Sequence, residues 1–210
     1  LINRFAAVDV ILQQGHFQDS DDYWVKKKPE WRAQLHRQRL FDLPVSYVAN
    51  AIYGKWEDET KSSWHEDYNI YFSRDTIKIS EKMDLNLGAG YQIIKESYNN
   101  SEVDKFSYDI TLSNNFDKKW NGWIGYHYVQ NNTNIFAYDN DDLSRELITG
   151  LTYAIDEKNS LSFVQRYDLD SNSVYDQDYT WYRDLHCLKA SLTYRAKRDE
   201  IKFRIGIKEW

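Results

Sequence analysis

A chain whose apolar and polar side chains alternate at every second position can fold only as β-strands with one greasy face and one wet face. That pattern runs through most of these 210 residues. The clearest stretch is Phe106-Ser107-Tyr108-Asp109-Ile110-Thr111-Leu112-Ser113. The same period recurs at Leu85, Leu87, Ala89, Tyr91 and Ile93, at Leu147 to Ile155, and at Leu188, Ala190, Leu192 and Tyr194. It returns once more at Ile201, Phe203, Ile205 and Ile207. Helical spacing is hard to find. The pattern predicts about twelve strands, near residues 2–14, 29–37, 44–56, 66–74, 83–96, 104–115, 121–131, 144–156, 159–170, 174–184, 186–196 and 199–208. The two prolines, Pro29 and Pro44, fall near predicted strand starts, where a missing N–H is tolerated.

What the greasy face meets is suggested by residue type. Tyrosine occurs 17 times and tryptophan 8 times. Their rings carry a polar tip, which suits a membrane–water boundary better than a sealed core. Mean hydropathy is only -0.78, and no run reaches the ~18 apolar residues of a spanning helix. A barrel strand gives half its residues to a polar interior, so low hydropathy does not exclude a membrane. The fold expected is therefore all-β, an antiparallel up-and-down transmembrane β-barrel of about twelve strands. It is either the C-terminal part of a larger barrel or an open curved sheet. A net charge of -6 argues against a nucleic-acid partner. The opening Leu1-Ile2-Asn3-Arg4-Phe5 reads as chain interior, so residues 1–210 are expected to form a single barrel domain within a longer protein.

The connections alternate in this reading. Long polar loops are expected at Gly15–Lys28, Glu57–His65, Ser97–Val103 and Asn132–Leu143. Shorter links are expected at Gln38–Leu43, Asp75–Lys82, Phe116–Trp120, Asp156–Lys158 and the corner at Leu185. Outer-membrane barrels have long extracellular loops and short periplasmic turns. The parity puts the C-terminus and Cys187 on the periplasmic side.

Chemistry is sparse. The acidic clusters Asp19–Asp22, Glu57–Glu59, Asp139–Asp142 and Asp168/Asp170 with Asp176/Asp178 lack an EF-hand pattern and read as solvated loop tips. The five histidines, His16, His36, His65, His127 and His186, show no metal-ligand spacing. No nucleophile elbow, phosphate loop or paired cysteine motif occurs, so neither catalysis, a metal nor a cofactor is expected. Cys187 is the only cysteine. Alternation puts it opposite Leu188, Ala190, Leu192 and Tyr194, facing the lumen, where a partner thiol on another segment could reach it.

The closing hairpins resemble the lipopolysaccharide-assembly outer-membrane protein family, LptD, also called the organic solvent tolerance protein. The residues concerned are Leu161-Ser162-Phe163 through Arg166-Tyr167-Asp168-Leu169-Asp170, then Tyr179 to Arg195 with Arg183-Asp184-Leu185-His186-Cys187, then Glu200-Ile201-Lys202-Phe203. Tyr23-Trp24 with Lys27-Lys28-Pro29-Glu30 fits the same family. The resemblance implies a periplasmic jellyroll and early strands outside this chain. It implies a lipopolysaccharide cargo, an LptE-type lipoprotein plug, periplasmic lipopolysaccharide-bridge proteins and the barrel-assembly machinery as partners. It also makes Cys187 a disulfide candidate, Ile201, Phe203, Ile205 and Ile207 a lateral-gate strand, and Trp210 a C-terminal insertion signal. His186-Cys187 stands where some members have two adjacent cysteines. Two other readings compete with export across the outer membrane. One is a small diffusion channel like the oligosaccharide porins, and the other is a soluble β-sandwich with a binding role.

Overall fold

The computed structural model describes residues 5–16, 24–131, 133, 135–136 and 143–207. The described chain is all-β. Its strands are β1 (Ala6–His16), β2 (Trp24–Arg39), β3 (Val45–Glu57), β4 (Ser62–Arg74), β5 (Ile77–Lys78), β6 (Met83–Glu96) and β7 (Ser101–Asn115). They continue as β8 (Trp120–Val129), β9 (Arg145–Ala154), β10 (Asn159–Asp168), β11 (Ser173–Asp184), β12 (Leu188–Arg195) and β13 (Glu200–Ile207). Each long strand pairs with the next in sequence, and β5 is a two-residue addition on β6. This is the antiparallel up-and-down order that strict alternation predicts, because hairpins keep each apolar position beside another.

Three strands run further than the alternation suggested. β2 begins at Trp24, and Pro29 lies inside it rather than at its start. Pro29 is tolerated there because the register with β3 shifts between Lys27 and Glu30, a bulge in which one ladder bond is already missing. The bulge presses the β2 backbone onto Gly54. A Cβ at Gly54 would stand 2.8 Å from both Glu30 Cα and the Pro29 carbonyl oxygen, so only glycine fits without moving backbone. β4 begins at Ser62 and β7 at Ser101, which shortens the expected loops Glu57–His65 and Ser97–Val103 to residues 58–61 and 97–100. Ser63, His65 and Asp67 look loop-like in sequence because they are polar, yet they hold the alternate, wet-face positions of a strand. The contrast between long and short connections is therefore much weaker than expected.

The turns share a local chemistry. Asp58, Asp117 and Asp156 each accept backbone N–H bonds with Oδ1 from the residues two and three positions on, at 2.6–2.9 Å. Such Asx turns substitute a carboxylate for a backbone acceptor. Three other turns end on a left-handed residue, Asn100 (φ 53°), Asn172 (φ 55°) and Asp199 (φ 49°). Asn and Asp visit that conformation at less cost than other side chains.

The chain forms two compact units. Unit 1 comprises Leu1–Asp75, Leu87–Tyr108 and Val129–Ser144, and unit 2 comprises Thr76–Asn86, Asp109–Tyr128 and Arg145–Trp210.

Candidate functional site: the polar face of the strands

Register assigns every strand residue to a face, because directly opposed residues of antiparallel strands share one. In unit 1, Val10, Trp31, Tyr53 and Glu66 are opposed in turn across β1 to β4. In unit 2, Trp120, Tyr153, Leu161, Trp181, Leu192 and Phe203 form a row across six strands. Apart from Glu66, these rows are apolar, and they are open: Val10 is 60% exposed, Leu161 48% and Phe203 63%. The opposite face is closed and charged. Among its buried residues are Lys27, Glu30, His65, Asp67, Glu96 and Lys105 in unit 1, and Glu146, Asp176 and Arg195 in unit 2. A water-soluble domain does the reverse, since charged side chains are almost never fully buried unless paired.

In unit 1 the buried groups form one stacked assembly around Trp56. Its indole N–H donates to Glu30 Oε2 at 2.6 Å. Lys27 Nζ sits 3.9 Å from the ring centroid and also pairs with Glu30 at 3.6 Å. The His65 imidazole stacks on Trp56 with centroids 3.5 Å apart and planes at 13°. His65 Nδ1 is in turn held 2.7 Å from Glu96 Oε1. Arg32 closes the other side of Glu30, and Gln92 donates to Asp67 at 3.0 Å. Phe136, from the connection between β8 and β9, meets the edge of Trp56 at 5.8 Å and is fully buried.

Unit 2 carries a second charged lining. Arg195 Nη2 donates to Asp176 Oδ2 at 2.8 Å, Arg198 approaches the same carboxylate at 3.3 Å, and Arg166 pairs with Glu146. The guanidinium groups of Arg166 and Arg198 both lie over Tyr175, at 5.1 and 5.9 Å. Farther along, the hydroxyls of Thr180 and Thr193 join β11 to β12 at 2.9 Å. Arg195 also approaches Asp178 at 3.6 Å and Glu200 at 3.5 Å, so cations and carboxylates interleave along the lining.

Asp176 and Asp178, read from sequence as loop tips, lie within β11, where Asp176 is buried as a partner of Arg195; the other residues singled out from sequence fall elsewhere. Cys187 is free and exposed, in the turn at residues 185–187 rather than on a strand face. β12 begins only at Leu188 because His186 takes a left-handed φ of 76° and its N–H bonds to Asp184 Oδ1 at 2.8 Å. Ile201, Phe203 and Ile205 lie exposed on the apolar face of β13, in register with Tyr194, Leu192 and Ala190. Ile207 opposes Leu188. Their gate role came from the resemblance alone. Trp210 and the acidic clusters Asp19–Asp22 and Asp139–Asp142 lie outside the described residues. The buried assembly around Trp56 was missed. Its trace in the sequence is charge on wet-face positions, Lys27 and Glu30, His65 and Asp67, which alternation marks only as polar.

No family model matches the chain, and no curated protein matches it. Among solved structures it is similar to a KdgM porin, with a TM-score of 0.47 and 8% identity over 89% of this chain and 96% of that one. It is also similar to the outer membrane phospholipase A from Escherichia coli, with a TM-score of 0.46 and 9% identity over 88% of this chain and 79% of that one. One neighbour is described as a porin and the other as an outer-membrane phospholipase. The resemblance to LptD is corrected by these findings, and with it the export function, the lipopolysaccharide cargo, the LptE-type plug and the bridge proteins. The physical reason lies in the residues that carried it. Asp184-Leu185-His186 is a carboxylate-capped turn like those at Asp117 and Asp156, so the hairpin Arg183–Cys187 reports generic turn chemistry rather than one family.

Proposed function

We propose that the chain closes as one β-barrel domain in the outer membrane and serves as a small diffusion channel for polar solutes, without covalent chemistry. One observation carries this reading: in both units the exposed face is apolar and the buried face is charged. Apolar rows such as Trp120, Leu151, Leu161, Trp181 and Leu192 are satisfied by lipid, and the paired charges by a water-filled interior. In hydrocarbon an open sheet edge would leave backbone N–H and C=O groups unpaired at several kcal/mol each, which favours closure. Most strands have the ~9–11 residues needed to cross a tilted barrel; β3, for instance, has 13.

The paired lining predicts size selection with little charge selection. Purified protein in planar bilayers should show discrete conductance steps. Under a tenfold KCl gradient the reversal potential should lie near zero. A potential near the full Nernst value would show that one sign of charge dominates the passage, and absence of steps from correctly folded protein would remove the channel reading.

A further inference from the structure

Several turns expose large apolar side chains that water does not favour. In unit 2 these include Ile79, Phe116 and Ile155, and in unit 1 Phe41 and Leu43. They lie in the connections from β4 to β6, β7 to β8, β9 to β10 and β2 to β3, which the up-and-down order puts at one end of the strands. In unit 2 the turns at the other end, residues 169–172 and 196–199, hold no exposed large apolar side chain. Two of the exposed groups continue the apolar face. Ile155 stands two positions beyond Tyr153, and its N–H still bonds to the Asn159 carbonyl at 2.9 Å. The Phe116 ring lies over Gly122, where an added Cβ would come within 2.8 Å of its Cε2 atom, and Gly122 is opposed to Leu151. Each is followed at once by a carboxylate, Asp117 or Asp156, which accepts the backbone N–H bonds that close its turn. Phe41 likewise precedes Asp42; it is 85% exposed at a left-handed φ of 54°, a backbone state that bulky side chains rarely adopt.

Thickness identifies what covers these groups. On β9 the apolar face is bounded by two charges, Arg145, which pairs with Asp170, and Asp156. Between them it carries Leu147, Thr149, Leu151, Tyr153 and Ile155. Leu147 to Tyr153 rises ~20 Å along the strand and ~15 Å across a bilayer at barrel tilt, well short of an apolar band of ~25 Å. Counting Ile155 extends the crossing to ~20 Å, so the strand rows match the band only when the turn residue is part of it. We propose that this end of the strands is sunk into the membrane. Acyl chains reach Phe116 and Ile155 in unit 2 and Phe41 and Leu43 in unit 1, and lipid headgroups meet the carboxylates beside them. The inference deepens the membrane-barrel reading above and rests on it.

The test is spin-label accessibility in the full chain reconstituted into phosphatidylcholine vesicles, with folding verified by heat-modifiable migration on gels. In a Cys187→Ser background, single labels are placed by Phe116→Cys and Ile155→Cys at the rim, Leu151→Cys on the mid-face and Lys158→Cys beyond the turn carboxylate. Dissolved oxygen reports lipid and a water-soluble nickel chelate reports water. The rim labels should side with Leu151→Cys, colliding mainly with oxygen, and the preference should shift to the chelate at Lys158→Cys. If one rim variant does not fold, the other decides. Chelate access at a folded rim variant, with Leu151→Cys still in lipid, overturns the sunken rim and leaves those side chains bare for a protein partner, while the membrane reading stands. Chelate access at Leu151→Cys as well, in folded and vesicle-bound protein, overturns the membrane reading and the rim together.

Discussion

At the scale of single residues the decisive group is Glu30. It is fully buried and receives three donors: the Trp56 indole, Lys27 and Arg32. A buried charge is tolerable only while its partners remain, and removing one side strands the others. Glu30→Ala would leave Lys27 buried without its carboxylate and the Trp56 N–H without its acceptor. The expected loss is about 3–5 kcal/mol of unfolding free energy, read by urea denaturation in lipid vesicles. Glu30→Gln keeps an acceptor for Trp56 and should cost less; equal losses would mean that the hydrogen bond contributes nothing beyond the ion pairs. Sequence alone could not single out Glu30. Alternation with Trp31, Ala33 and Leu35 puts it on the wet face but marks it only as polar, and only the bulge at Lys27–Glu30 brings Lys27 onto the same face beside it.

At the scale of elements the strands were legible and their ends were not. Alternation such as Leu188, Ala190, Leu192, Tyr194 against Lys189, Ser191, Thr193, Arg195 fixes both strand and face, because one residue of slip would reverse every side chain. Strand ends depend on where hydrogen bonding stops, and polar wet-face residues such as Ser62 to Asp67 resemble loop in composition. Turn chemistry is more regular than expected. The backbone N–H of Lys119, then that of Trp120, hold the Asp117 carboxyl below its ordinary value, and the Asn159 side chain leads the same effect at Asp156. A carboxyl depressed by folding stabilises its turn fully above the ordinary value near 4 and loses that contribution as pH falls through the lowered value. The Lys158 and Asn159 amides should therefore stay protected from hydrogen exchange at pH 5 and lose protection only in stronger acid. In Asp156→Ala they should be unprotected at both; protection persisting in that variant would assign it to the β9–β10 ladder instead.

At the scale of the whole molecule the sequence conveyed a two-faced all-β meander, and the structure adds that the face left open is the apolar one. The family likeness failed for a reason that belongs to this scale too. Amphipathic strands and capped hairpins are common property of any sheet with one greasy side, so they identify an architecture rather than a lineage. What distinguishes this chain is what sits on its wet side: Trp56 clamped by Lys27 and His65, and Phe136 set against it.

The turn at residues 185–187 has a practical consequence. The chain's single thiol, Cys187, stands exposed there beside the first residue of β12. One sulfur on one hairpin makes a natural reporter of which compartment that hairpin inhabits. A bulky, charged maleimide supplied to intact cells should leave it unlabelled, and the same reagent after outer-membrane rupture should tag every copy. Tagging before rupture would turn the whole meander the other way up.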